Sequence, residues 1–266
     1  MNKRHMKENI LPIKKTKIEK IITDVDLFNL DLHQANQNNA EYQYTVGCHY
    51  SNGKLVEKNL NEAMSWFYKS AIQNYVPSQY CLGIIYMELK NFNESILWLE
   101  RAKDSGHVMA CFYLGIIYYS GYLGKVNYLK SIEYFEISSI NNVNSQYFLA
   151  NCYYFLGNID EAVKWYTKAS ENKCELSCFS LGILYRDGYG VKKDYNIALH
   201  LIKLSAQNGY NRAQDLLGDI YSIGEMVKRD NSIALYWYKE AAHNGFIKSN
   251  FKIDEIYKIC NEKVLI

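Results

Sequence analysis

Residues 177–206 read SCFSLGILYRDGYGVKKDYNIALHLIKLSA, and the same arrangement returns at residues 213–242 as AQDLLGDIYSIGEMVKRDNSIALYWYKEAA. Its centre is the string Leu-Gly-x-x-Tyr, which occurs in full at residues 82–86, 114–118, 181–185 and 217–221. Weaker copies surround residues 47, 150 and 254. We call the glycine, or the residue that replaces it, the anchor of each unit; the anchors are Gly47, Gly83, Gly115, Ala150, Gly182, Gly218 and Asp254. Their spacing of 32, 35 or 36 residues predicts tandem repeats.

Each repeat contains a second pattern after its anchor. It has a bulky pair of side chains, and these pairs begin at Trp66, Trp98, Tyr134, Trp165, Leu201 and Trp237. A small residue precedes each pair by three positions, as expected where helices pack closely. Four positions before the small residue stands an Asn or Asp that predicts a helix N-cap. These residues are Asn59, Asn91, Asn127, Asn158, Asp194 and Asp230. Each unit therefore reads as helix A, turn, helix B, turn.

The turns carry their own signals. The residues that stand nine positions before most anchors tolerate a left-handed helix end, and they are Asn38, Asn74, Gly106, Asn141, Gly209 and Gly245. Four units also contain a four-residue insertion between helices A and B, with a glycine at a fixed offset: Gly53, Gly121, Gly188 and Gly224. Glycine at that offset suits a positive φ in a tight reversal. The two short units, around 83–98 and 150–165, resemble tetratricopeptide repeats.

Composition narrows the class of protein further. The chain has 266 residues, 48% hydrophobic and 22% charged, with a formal charge of +2 and only 2 Pro. These values favour a globular, nearly all-helical protein and exclude a disordered or collagen-like chain. No apolar run approaches the roughly 20 residues that span a bilayer, so membrane insertion is not expected. The first 20 residues lack the apolar segment of a secretory signal. We therefore expect a cytoplasmic protein whose seven cysteines are reduced and form no disulfide framework.

The repeat pattern as a whole resembles the Sel-1-like repeat family, a relative of the tetratricopeptide repeat with a longer A–B loop. The resemblance covers roughly residues 24–260 and is best at 177–206 and 213–242. It implies an all-α fold, an α/α superhelical solenoid of about six helix-turn-helix repeats with terminal capping helices. It also implies a scaffold or adaptor between other proteins, not an enzyme.

The domain organisation follows from the same frame. Residues 1–20 hold seven Lys or Arg and two Glu, a charge of +5, which leaves −3 for residues 21–266. We expect residues 1–17 to form a basic, flexible arm and residues 18–266 a single repeat domain. Within it, residues 18–37 place Leu27, Leu30 and Ala35 at helix B offsets and predict a capping helix. Repeats are then expected at about 40–75, 76–107, 108–142, 143–174, 175–210 and 211–246, with a terminal helix at 247–262.

The sequence contains no recognisable catalytic or metal-binding pattern. The sequence has no G-x-x-x-x-G-K-[ST], G-x-G-x-x-G or H-E-x-x-H string, and its six histidines share no useful spacing. Cys174 and Cys178 lie four residues apart, but further zinc ligands are missing nearby. In the secreted, cysteine-rich branch of the family a disulfide joins helix B to the next helix A. Cys111 and Cys178 occupy one half of that pair, whereas Lys103 and Ser170 occupy the other. We expect no catalytic residue, metal or cofactor.

A partner site is expected on helix A. The tyrosines of the Leu-Gly-x-x-Tyr string are interpreted as framework residues between helices A and B. By analogy with tetratricopeptide arrays, the concave groove is lined by offsets −6, −3, +4 and +5 from the anchor. The aromatic and apolar candidates are Tyr80, Met87, Phe112, Tyr119, Tyr147, Tyr154, Phe155 and Phe179. The polar candidates are Arg186, Asp187, Arg212 and Asp215. Such a groove suits an extended or helical peptide of another protein. Some of these rings alternatively belong to the core between neighbouring A helices.

The sequence also bears on two other functions, RNA binding and catalysis or ligand binding by an exported protein. A helical-repeat solenoid can bind single-stranded RNA, which requires a basic groove, whereas residues 21–266 carry a net charge of −3. An enzyme or an exported ligand-binding protein is disfavoured by the missing motifs and the missing cysteine partners. The sequence therefore favours a non-catalytic protein-interaction scaffold and predicts no nucleic-acid partner.

Overall fold

The computed structural model describes residues 24–262, and within that range it contains helices and no strand. The helices are α1 (Asp24–Asn36), α2 (Ala40–Asn52), α3 (Leu60–Ala71), α4 (Val76–Glu88), α5 (Phe92–Asp104), α6 (Val108–Tyr119), α7 (Tyr128–Ser138), α8 (Val143–Phe155), α9 (Ile159–Glu171), α10 (Glu175–Asp187), α11 (Tyr195–Gln207), α12 (Asn211–Ile223), α13 (Asn231–His243) and α14 (Ser249–Glu262). The predicted arm at 1–17 and the first residues of the predicted capping helix lie outside the described residues.

The contacts divide into two compact units, one up to Tyr75 and one from Val76. In the first unit, α2 packs against both α1 and α3. In the second, each helix from α4 to α14 packs against its neighbours along the chain. Even-numbered helices are the A helices and odd-numbered helices are the B helices. This succession of helix pairs confirms the predicted all-α solenoid class. The single domain over 18–266 stays a prediction.

The anchor glycines set the contact between helices A and B. A Cβ atom at Gly115 would lie 2.5 Å from the Phe135 ring, and one at Gly83 would lie 2.5 Å from Leu99 Cγ. Gly47, Gly182 and Gly218 meet the corresponding second member of the bulky pair in the same way. Real Cβ contacts are longer, so a side chain at these anchors would force the two helices apart. The anchor glycines therefore leave the space that the second member of each bulky pair occupies.

The start of every complete B helix is also as predicted. All six Asn or Asp caps accept a hydrogen bond from a backbone N–H in the first turn of their helix. The backbone N–H of each cap in turn donates to the carbonyl of the framework tyrosine, as from Asn59 to Tyr50 at 2.9 Å and from Asp194 to Tyr185 at 3.0 Å. The glycine of each inserted loop has a positive φ, between 67° at Gly53 and 80° at Gly224. A conserved set of local bonds thus closes each A–B turn.

One of the predicted helix ends is wrong. Five of the six residues proposed for the left-handed position have a positive φ, from 64° at Asn74 to 91° at Gly245, but Asn141 does not. Helix α7 ends at Ser138, and the following Asn142 caps α8 by accepting from the Ser145 N–H at 3.1 Å. The turn between α7 and α8 therefore closes with a side-chain cap and without a left-handed residue at position 141. Lys173, at the equivalent offset of the next unit, adopts φ 60°.

The terminal helices depart from the internal units. In α1, Ala35 and Phe28 are buried, whereas Leu27 and Leu30 are 42% and 57% exposed. In complete units, residues at the positions equivalent to those two leucines pack against the preceding A helix. The described part of α1 packs mainly against α2. At the other end, Lys252 of α14 reaches back to Asp219 of α12 at 2.8 Å. A charged contact therefore joins the terminal helix to the last complete pair.

Candidate interaction site

The predicted partner-binding residues lie along α4, α6, α8, α10 and α12, all within the second unit. We call the surface that they form the A-helix face. Its most exposed rings are Phe155 at 55% and Tyr154 at 38%, at the end of α8. The half-buried members are Tyr80, Met87, Phe112, Tyr119, Tyr147, Phe179 and Arg186. The exposed centre of this face is thus aromatic and belongs to α8.

Many of its rings also contact the neighbouring A helix. The ring centroids of Tyr80 and Tyr113 are 5.9 Å apart, and those of Phe112 and Phe148 are 6.1 Å apart. Tyr119 meets Phe148 at 5.1 Å. These separations are typical of interacting aromatic pairs. The alternative that some rings form the core between A helices is therefore supported for these residues, which are half-buried as well as surface-lining.

Two half-buried tyrosines of the face, Tyr80 and Tyr119, have a raised pKa and remain protonated at neutral pH. Burial raises the pKa of Tyr119 to about 12, and the nearby Tyr147 contributes in the same direction. Burial also raises the pKa of Tyr80, with a further contribution from Tyr113. A neutral phenol combines an apolar ring with a hydrogen-bonding group. The face therefore offers uncharged, amphipathic rings rather than anionic ones.

A cavity of about 240 Å³ opens between α8 and α10. Three of its lining residues were predicted, namely Tyr154, Phe155 and Phe179. The others were missed: Asn151, Tyr166, Ser180, Ile183 and Leu184. The hydroxyl of Tyr166 donates to Asn151 Oδ1 beside this cavity. The sequence signal that could have found it is Ser180, a small residue at an offset where the two preceding A helices carry rings.

The polar members of the face differ in how they are paired. Asp215 is buried, accepting from Ser249 Oγ at 2.6 Å and pairing with Lys252 Nζ at 2.8 Å. Because its carboxylate is occupied within the chain, we leave it out of the surface offered to a partner. Arg186 pairs with Asp187 at 2.8 Å. Arg212 is exposed and forms no ion pair with the described residues.

The chemistry available elsewhere in residues 24–262 is limited. No group of three His, Cys, Asp or Glu among the side chains that the structure describes is arranged to hold a metal ion. The six cysteines that the structure describes form no disulfide, and Cys178 Sγ lies 3.9 Å from the Ser170 carbonyl oxygen. No helix in the described part of the chain is long and apolar enough to cross a membrane.

The succession of helix pairs defines an α/α helical-repeat protein. Comparison with known families makes this class specific. The Sel1 repeat pattern matches residues 40–75, 78–107, 108–142, 176–210 and 211–246, and a tetratricopeptide repeat matches residues 143–173. The chain therefore belongs to the Sel1 repeat family, which is generally non-catalytic. Of the two short units, only the second is matched as a tetratricopeptide repeat.

Solved structures and a viral relative agree with this family. A protective antigen of uropathogenic Escherichia coli with an SLR fold superposes with a TM-score of 0.76 at 28% identity, over 86% of this chain and 51% of that one. A Sel1 repeat protein of Oxalobacter formigenes gives 0.69 at 26% identity, over 83% and 94%. A sel1-like repeat-containing protein of Acanthamoeba polyphaga mimivirus is 33% identical over 155 residues, which is 57% of this chain and 22% of that protein. The chain thus spans about a fifth of the viral relative and about half of the antigen.

Proposed function

We propose that this protein is a non-catalytic scaffold or adaptor, acting in the cytoplasm, that binds a peptide or helical segment of another protein on its A-helix face. The observation that supports this most directly is the exposure of Tyr154 and Phe155, which line an open cavity on the A-helix face. Exposed aromatic side chains that flank a pocket are typical of binding hot spots. The repeat family points to protein partners in the same way.

Single-stranded RNA is a weaker candidate than a peptide for the ligand of the A-helix face. Binding to the phosphate backbone needs several unpaired cations along the strand. Among the predicted members of the A-helix face only Arg186 and Arg212 are cationic, and Arg186 already pairs with Asp187. The aromatic rings alone would stack on bases, but little positive charge would hold the backbone. The face therefore suits a peptide better than a nucleic acid.

The experiment selects ligands from a random library of displayed peptides, each about twelve residues long, on the wild-type chain. The selected peptides are then titrated against Tyr154→Ser/Phe155→Ser. Because both rings are exposed, the variant should fold normally, and we expect affinity to fall by about tenfold or more. The matched control is Leu129→Ser/Tyr236→Ser, which removes two exposed apolar side chains from B helices. Equal loss in the control, or none in the test variant, would reject this face.

A further inference from the structure

At one offset of the A helices, rings on α6 and α8 contact the preceding A helix. Two residues before the anchor stand Tyr113 in α6 and Phe148 in α8, whereas α10 has Ser180 there. The Tyr113 ring lies 5.9 Å from that of Tyr80 on α4, and the Phe148 ring lies 5.1 Å from that of Tyr119 on α6. In both cases a ring from this offset fills the space against the preceding A helix. Ser180 is too small to do so.

The cavity of about 240 Å³ lies where that ring is missing. Ser180 lines it together with Tyr154, the residue of α8 that is equivalent to Tyr119 of α6. Sites for drug-sized molecules usually enclose roughly 300–1,000 Å³. The smaller volume and the aromatic walls of Phe155 and Phe179 therefore fit a single large side chain better than a cofactor. We call this cavity the Ser180 pocket.

A positive charge lies beyond one wall of the pocket, next to the tyrosine that packs against Phe179. Phe179 contacts the ring of Tyr210 at 5.2 Å. Burial raises the pKa of Tyr210, and the nearby Arg212 opposes that rise, so its guanidinium lies close to the tyrosine hydroxyl. Glu175 also acts on Tyr210 but forms no ion pair with Arg212. An exposed cation beside the tyrosine that packs on Phe179, one wall of the pocket, is complementary to a carboxylate of a bound segment.

We propose that the Ser180 pocket receives an aromatic side chain, Phe or Tyr, from a peptide segment of another protein that also carries a carboxylate for Arg212. The inference rests on the proposed function and specifies the partner of the A-helix face. The incoming ring takes the position that Tyr113 and Phe148 occupy between the preceding A helices. The chain thereby leaves open, for a partner, the place that rings of α6 and α8 fill against the A helices before them.

The first test needs no natural partner. Toluene and p-cresol, which reproduce the Phe and Tyr side chains, are titrated into isotope-labelled protein while its amide NMR signals are recorded. We expect saturable shifts at residues lining the pocket with at least one probe, as small aromatic molecules enter apolar cavities. Ser180→Phe should fill the pocket, keep or raise the melting temperature and abolish these shifts. Ser180→Ala should retain them, and Ser180→Leu replaces the Phe variant if that one does not fold. No saturable shift in the wild type would overturn the pocket.

The second test uses the peptides selected on the wild-type chain. We expect them to share an aromatic residue and a carboxylate, and to bind Ser180→Phe at least about tenfold more weakly than Ser180→Ala. Arg212→Glu should weaken the acidic peptides by a similar factor and respond to salt. Peptides that depend on Tyr154 and Phe155 but bind Ser180→Phe normally would refute the pocket while leaving the proposed function intact. Saturable probe binding without any selected peptide would count against the proposed function while leaving the pocket itself intact.

Discussion

Single residues decide how closely the helices of one repeat approach each other. The anchor of the third unit, Gly115, faces the fully buried ring of Phe135, and a Cβ there would lie 2.5 Å from it. The neighbouring side chain cannot move away, because it packs against Leu149 and Cys152 in the same core cluster. Glycine is required at this position by contact, since its φ is not among the positive ones.

The substitution Gly115→Ala should therefore destabilise the protein even though alanine favours helices. Overpacking of a rigid core costs about 1–3 kcal/mol, and the better helix propensity returns up to about 1 kcal/mol. We expect the free energy of unfolding to fall by about 1–2 kcal/mol, measured by urea denaturation followed by circular dichroism. Ser120→Ala, an exposed position five residues later, should change it by less than about 0.5 kcal/mol. A variant as stable as wild type would show that this contact does not limit packing.

Residue identities made the local features predictable from the sequence. A cap such as Asp194 acts within three residues of its own position, so its spacing from the anchor was sufficient evidence. The exposure of Leu27 and Leu30 was harder to predict, because burial at their positions on a B helix depends on contact with a preceding A helix. Asp215 has the offset of a surface residue, yet it is buried by Ser249 and Lys252, more than thirty positions away. Local rules place a residue on a helix and do not reveal its distant partners.

At the level of helices, the repeat frame predicted the order of A and B helices because packing between neighbours repeats along the chain. It did not predict the Ser180 pocket. That pocket arises from a side chain that is absent at one offset of α10, and its size depends on the rings of α8 that surround it. A list of candidate surface residues records what is present. Comparing the same offset in successive A helices would have shown the gap.

The contact between α9 and α10 at Ser170 and Cys178 can be tested with an engineered disulfide bond. Cys178 Sγ lies 3.9 Å from the Ser170 carbonyl oxygen, the two positions that carry the disulfide in the cysteine-rich branch of the family. The substitution Ser170→Cys should allow a disulfide to form with Cys178 on oxidation. Because the bond would close a short loop, we expect it to add about 2 kcal/mol to the free energy of unfolding.

The disulfide prediction is checked by comparing oxidised and reduced protein in urea, with thiols counted by mass after alkylation. Ser170→Ala is the matched control, because it removes the hydroxyl without supplying a second thiol. We expect the control to unfold at the same urea concentration under both conditions. If Ser170→Cys loses two thiols on oxidation and its midpoint does not rise, strain in the folded disulfide offsets the entropy that the bond removes from the unfolded chain. If no thiols are lost, the register between these helices differs from the one described.

Over the second unit as a whole, stability is coupled to pH through groups that are buried in their protonated form. Burial raises the pKa of Cys152 to about 12 and that of Cys178 to about 11, from 9.0 in the unfolded reference. Both thiols are fully buried, in α8 and α10. Tyr153 follows the same direction, with a pKa of about 12 that results from burial and a hydrogen bond to Glu136. In each case the folded chain holds its proton to a higher pH than the unfolded chain does.

The sign of the pH dependence follows from this difference. The contribution of each raised group is complete below its unfolded pKa and is lost as pH rises toward its folded pKa. Between pH 8 and 10 each buried thiol should therefore remove about 1 kcal/mol from the free energy of unfolding. We expect urea midpoints, measured under reducing conditions, to fall over that interval. Cys152→Ala should be less stable at pH 8 and lose about 1 kcal/mol less on going to pH 10. Ile117→Val, which trims a buried side chain without removing a titrating group, should keep the wild-type dependence; an identical slope for both variants would mean that the Cys152 thiol titrates alike in the folded and unfolded chain.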